Sequence, residues 1–98
     1  MVLKTRPWDA ASQLDTPERI ALYLEAAFED GDPALIAAAI GDAARAYGMA
    51  RLAKNSGLAR EALYRALSKD GNPEFATVLK VLKVFGLRLS AIEDREAA

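Results

Sequence analysis

The chain has 98 residues, enough for one domain, and 52% are hydrophobic and 28% charged, a globular balance that excludes a disordered chain. It contains neither cysteine nor histidine. That excludes disulfides, thiolate or imidazole metal sites, and Cys–His or Ser–His nucleophilic pairs. The net charge of −1 conceals a segregation: residues 1–47 hold four basic side chains against eight acidic ones, residues 48–90 eight against three, and residues 91–98 one against three. A near-neutral chain with one basic segment suits a polyanion on one face and a different partner on another, although solvated helix faces alone also give such a pattern.

Alanine and leucine dominate and β-branched residues are few, so helix is the expected state. No apolar run approaches the ~20 residues of a membrane span. No continuous apolar stretch of signal-peptide type marks the N-terminus, so a cytoplasmic protein with no membrane partner and no cofactor is expected.

Residues 1–15 read as an N-terminal arm, with Trp8, the one tryptophan, packed on the domain or on a partner. Thr16-Pro17-Glu18 is a helix start: hydroxyl cap, proline in the first turn, then a carboxylate. Ile20, Leu24 and Phe28 recur every four residues beside Ala21 and Ala27, and Gly31 ends the helix. Asp32-Pro33 restarts the chain in the same way. Leu35, Ile36, Ala39, Ile40, Ala43 and Ala44 make a helix apolar over much of its circumference, hence central to the core. Gly41 inside it permits close packing, and Gly48 closes it. Two short helices follow, split at Gly57. Asp70-Gly71-Asn72-Pro73 is a turn, from which Asn72 is expected to cap a last helix with Pro73 first inside. Phe75, Val78, Leu79, Leu82 and Phe85 are its expected buried stripe, and Gly86 its end. Leu87, Leu89 and Ala91 alternate with Arg88 and Ser90, as in a short strand or a frayed tail. The expected organisation is therefore an arm over 1–15, a domain over 16–90 and a C-terminal tail over 91–98.

The informative stretch is residues 49–68, MARLAKNSGLAREALYRALS. A helix-turn-helix joins two short helices through a tight turn. The first helix needs a small residue at the crossing, which Ala53 supplies. The turn needs a residue tolerant of positive φ, which Gly57 supplies four residues later. Leu52, Leu58, Leu63 and Leu67 provide the inner face, and Ser56 stands where many such motifs carry an apolar residue. A plain helical hairpin shares the Ala-xxx-Gly spacing; the basic charge and the flanking helices favour the DNA-binding motif. Its second helix, beginning near Arg60, would then enter the major groove. Ala59, Arg60, Glu61, Tyr64 and Arg65 are the candidate base-reading residues. Arginine can donate two parallel hydrogen bonds to guanine. Glu61 can accept from cytosine or orient Arg60 or Arg65, and Ala59 or Ala62 can touch a thymine methyl. Tyr64 is open to three roles: stacking, a phosphate contact, or a place half in the core. Lys54, Lys69 and Asn72 are the candidate phosphate contacts, which hold register without specifying sequence, while Lys80 and Lys83 are expected to face solvent. One such module buries too little to bind tightly, so a two-fold homodimer reading two half-sites about 34 Å apart is expected, with Leu87–Ile92 a candidate dimer surface.

The segment from Ile20 to Leu89 resembles the HigA-like addiction-module antidote proteins, bacterial type II antitoxins with an XRE/Cro-type helix-turn-helix. LYRALSKDGNPEFATVLKVL (residues 63–82) and YLEAAFEDGDP (residues 23–33) carry most of the resemblance. It implies an all-α, five-helix XRE/lambda-repressor-like domain. It also implies a partner toxin of the RelE/ParE superfamily, usually basic, and a dimer that represses the shared operon by binding double-stranded operator DNA. The residues matching the family's DNA-reading helix are Arg60, Glu61, Tyr64 and Arg65. Trp8, Leu14 and Tyr23 are candidate toxin contacts that the resemblance does not itself fix. The acidic N-terminal half agrees with a basic partner. Two other readings stand beside this one: a repressor of a prophage or mobile element with no toxin, and an interaction module that does not bind DNA. An enzyme is the least supported, since no activated nucleophile or metal site is in view.

Overall fold

The computed structural model describes residues 14–68 and 70–94. Five helices follow in chain order: α1 (Pro17–Asp30), α2 (Pro33–Tyr47), α3 (Met49–Ser56), α4 (Arg60–Ala66) and α5 (Phe75–Val84), with no strand among the described residues. None of these helices is long and apolar enough to cross a membrane.

The helix ends follow local chemistry. Thr16 is extended and its hydroxyl accepts from the Arg19 N–H at 3.1 Å, satisfying one donor that the first turn leaves open. Gly31, at φ 85°, closes α1 by donating to the Ala27 carbonyl. The Asp32 carboxylate then accepts from the Ala34 N–H at 3.1 Å and starts α2. Between α2 and α3 the chain turns on Gly48 alone, at φ 108°, a backbone shape that side chains rarely allow.

Every helix sends a large side chain into one core. Leu24, Ile40, Leu52, Leu63, Val81 and Leu82 are the largest side chains fully removed from solvent. Each contributes about 1.5–3 kcal/mol by leaving water. Among the described residues no charged or polar side chain is buried with them. α2 lines the core as expected, with Ala39, Ile40, Ala43 and Ala44 buried on one face, while Leu35 is exposed. Gly41 lets α2 meet the end of α4: a Cβ there would lie 2.9 Å from the Leu67 carbonyl oxygen.

α5 departs from the sequence reading in two ways. It begins at Phe75, with Glu74 rather than Asn72 in the capping position and no side-chain cap. Pro73 disfavours helical geometry at Asn72, and Glu74 itself is extended (φ −67°, ψ 153°), so the helix bonds start with the Val78 N–H on the Glu74 carbonyl. The inward face is Val78, Val81, Leu82 and Phe85, at i, i+3, i+4 and i+7. Phe75 and Leu79, expected in the core, are exposed, and Val81, not expected there, is fully buried. Gly86 ends the helix as expected, and Leu87 N–H returns to the Leu82 carbonyl at 2.9 Å.

Candidate nucleic-acid interface

The candidate surface is built on α3, the turn at 57–59 and α4. Gly57, at φ 77°, breaks α3 and donates to the Ala53 carbonyl at 3.1 Å. Ser56 has a specific job here. Its hydroxyl reaches the Ala53 carbonyl at 3.4 Å and accepts from the Leu58 N–H at 3.2 Å, pinning both sides of the turn. A residue at odds with the apolar pattern therefore serves as a local brace. Leu52 and Leu63 are buried beneath the pair, Leu67 is nearly so, and Leu58 and Ala53 pack partly against the core.

With Leu63 inward, the phase of α4 is fixed, and Ala59, Arg60, Glu61, Tyr64 and Arg65 are all exposed while Ala62 is half-buried. The helix thus presents two guanidiniums, one carboxylate and one phenol on its outer side. Tyr64 is 45% exposed, which takes it out of the core. The Arg60 guanidinium lies over its ring at 5.5 Å from the centroid, a cation–π contact that limits the arginine's freedom.

The flanking residues divide. Lys54 is exposed in the last turn of α3. Asn72 is exposed beside a cleft of about 510 Å³ that borders Arg65 and also holds Asp70 and Glu74, so carboxylates adjoin it. Lys69 and Trp8 lie outside the described residues. Leu14 is buried in the core, and Tyr23 is half-buried with its hydroxyl donating to Asp42 at 2.7 Å. Asp42 also accepts from Arg45, joining α1 to α2 through a small polar network. The Tyr23 hydroxyl is pushed up to about 12, first by burial, then by the hydrogen bond to Asp42 and its charge, against the opposing pull of Arg45.

A second cationic patch was not legible in the sequence. Arg51 lies 4.0 Å from the centroid of the Tyr47 ring, and Asn55 donates to the Tyr47 hydroxyl at 2.8 Å. Lys80 and Lys83 share an open cleft of about 640 Å³ with Tyr47 and Asn55. The i, i+4 pair on α3 and the i, i+3 pair on α5 are visible in the sequence; that the two helices bring them together is not.

The matched residues span nearly the whole of this architecture: the family described as "Probable addiction module antidote protein" matches residues 4–93. The chain belongs to this antidote family. An uncharacterized protein of Haemophilus influenzae is 41% identical over 97 residues, covering 99% of this chain and 100% of its own. No solved structure matches. An addiction-module antidote has a toxin as its counterpart, so membership gives this antidote a toxin partner in general terms.

Proposed function

We propose that this antidote is a cytoplasmic type II antitoxin of HigA-like, XRE-type character that represses its own operon as a homodimer and neutralises a toxin of the RelE/ParE superfamily. The observation that carries the DNA-binding part is the outer side of α4, where Arg60, Glu61, Tyr64 and Arg65 stand exposed while Leu63 anchors the helix from beneath. Arg60 and Arg65 suit guanine edges, Glu61 suits a cytosine amino group, and Ala59 sits at the entry to the helix against a thymine methyl. Lys54 and Lys69, with Asn72, supply contacts to the phosphates.

Toxin capture belongs to the other half of the chain. Glu18, Glu25 and Glu29 are exposed along α1, and the acidic excess of residues 1–47 suits a basic partner. Nothing in this scheme needs catalysis, since occupying an operator and covering a toxin are both binding events. The test is co-expression with the product of the neighbouring gene. The expected result is a stable complex and rescue of growth from the toxin, with the double variant Arg60→Ala/Arg65→Ala keeping rescue but losing operator binding. A neighbouring product that neither binds nor harms growth would refute the antitoxin part.

A further inference from the structure

We propose that the open cleft between α3 and α5 is a second phosphate-binding surface, which holds the sugar–phosphate backbone of duplex DNA outside the stretch whose bases α4 reads. The proposal rests on the operator reading above and extends its footprint across α3 to Lys80 and Lys83.

The cleft, of about 640 Å³, is lined by Tyr47, Asn55, Ser56, Lys80, Lys83 and Val84. It is built from two stretches of chain that hold no acid: no Asp or Glu stands between Asp42 and Glu61, or between Glu74 and Glu93. Lys80 and Lys83 are exposed one turn apart on α5, where like charges repel each other. A bound phosphate relieves that repulsion. Among the described residues the ion pairs involve Arg19 and Arg45, and none reaches Arg51, Lys80 or Lys83.

The wall facing the lysines is held in place. The Tyr47 ring meets Phe85 edge-on with centroids 5.6 Å apart, and its hydroxyl accepts from Asn55 at 2.8 Å, leaving its own proton to donate. The Arg51 guanidinium lies over the Tyr47 ring at 4.0 Å from the centroid, so its in-plane N–H groups remain as donors. Ammonium, guanidinium and hydroxyl donors therefore meet here with no carboxylate among them, which is the chemistry that phosphodiester oxygens need.

Shape and neighbours choose among the possible anions. The cleft is open, so a mononucleotide held there would keep much of its surface in water. Among the described residues none of the large exposed apolar side chains lines it, so a protein partner would find no anchor. A row of phosphates needs neither enclosure nor anchor. Arg51 also stands one turn before Lys54 on the exposed side of α3, and Lys54 stands one turn before Gly57, where the chain turns toward α4. Cations thus run from the cleft over α3 toward Arg60 with no acid between them in the chain. A duplex seated on α4 can follow that row with its backbone.

The test is fluorescence anisotropy with Lys80→Gln/Lys83→Gln, on the duplex immediately upstream of the gene and on a scrambled one, each across a salt titration. The variant is expected to flatten the slope of log Kd against log salt by about 1–2 on both duplexes, since each phosphate contact contributes about 0.9. The preference between the duplexes should be kept, because phosphates carry no sequence. Arg19→Gln/Arg88→Gln removes the same charge from exposed sites outside the cleft and should change the slope much less, with both variants keeping the circular dichroism spectrum. Amide resonances of Asn55, Lys80 and Lys83 should move on adding the scrambled duplex, and not on adding inorganic phosphate at the same phosphate concentration. An unchanged slope in Lys80→Gln/Lys83→Gln, or an equal change in Arg19→Gln/Arg88→Gln, overturns the proposal. Resonances that answer only to single-stranded RNA, or to inorganic phosphate as strongly as to the duplex, overturn it too. Equal binding of both duplexes with a slope still set by Lys80 and Lys83 refutes the operator reading and leaves this surface standing. A preference kept with an unchanged slope does the reverse, and binding of neither duplex overturns both.

Discussion

Arg60 and Arg65 are both exposed on α4, but their settings differ. Arg60 is held over the Tyr64 ring, whereas Arg65 borders a cleft that contains Asp70 and Glu74. Arg60 is thus the better ordered of the two for reading a base. Arg60→Ala is expected to weaken operator binding by about 1–3 kcal/mol and to relax preference at one base pair, measured on duplexes substituted one position at a time. Lys69→Ala should instead weaken all sequences alike and flatten the salt dependence. Equal, sequence-independent losses from both would refute the division of roles. Tyr23 gives a second residue-scale prediction. Its hydroxyl titrates at about 12 in the fold against an ordinary value of 10.0, so the folded state holds the proton more tightly than the unfolded chain. The resulting stabilisation is complete below pH 10 and is lost as the pH rises toward 12. Urea denaturation between pH 9 and 12 should show this decline, and Tyr23→Phe should remove its share of it. The α4 residues were legible because Gly57 and the leucines fix the phase of a helix from sequence alone. The Tyr23–Asp42–Arg45 network was not, because 19 residues separate Tyr23 from its acceptor.

The elements were legible where a cap and a glycine bracket a periodic run, as in α1 and α2, and less so at α5. There, dense turn residues masked where the helix begins. Asn72-Pro73 has the form of a cap, but the chain stays extended through Glu74, and Phe75 and Leu79 lie on the exposed side of the helix that follows. The α4–α5 connection is also tightly fitted. A Cβ on Gly71 would stand 2.2 Å from the Ala66 carbonyl oxygen and 2.6 Å from that of Arg65, both backbone atoms that cannot swing aside. Gly57, by contrast, has open space around it and only its φ of 77° to hold it as glycine. Gly71→Ala should therefore cost more than Gly57→Ala, which is limited to the backbone strain of about 1–2 kcal/mol. Chemical denaturation of the two variants checks this order, and an equal or smaller loss at Gly71 would contradict the packing. Leu52→Ala and Leu63→Ala, both at fully buried positions beneath the turn, should each lose about 2–5 kcal/mol by the same assay.

At the scale of the whole molecule, the charge segregation becomes spatial. The acidic α1 and the basic α3–α4 pair are separate elements, each packed on the same core. The sequence showed the segregation but not the Arg51–Tyr47–Asn55 patch beside Lys80 and Lys83, which needs α3 and α5 to meet. It also left the exposure of Phe75 and Leu79 on α5 unseen, since both read as core. Operator reading by α4 is the central proposal for this antidote. The direct measurement is fluorescence anisotropy on the duplex immediately upstream of the gene, against a scrambled duplex, across a salt titration. A preference of ~10³ or more for the upstream duplex and steep weakening with salt are expected if α4 reads an operator. Equal binding to both duplexes, or none, would contradict it.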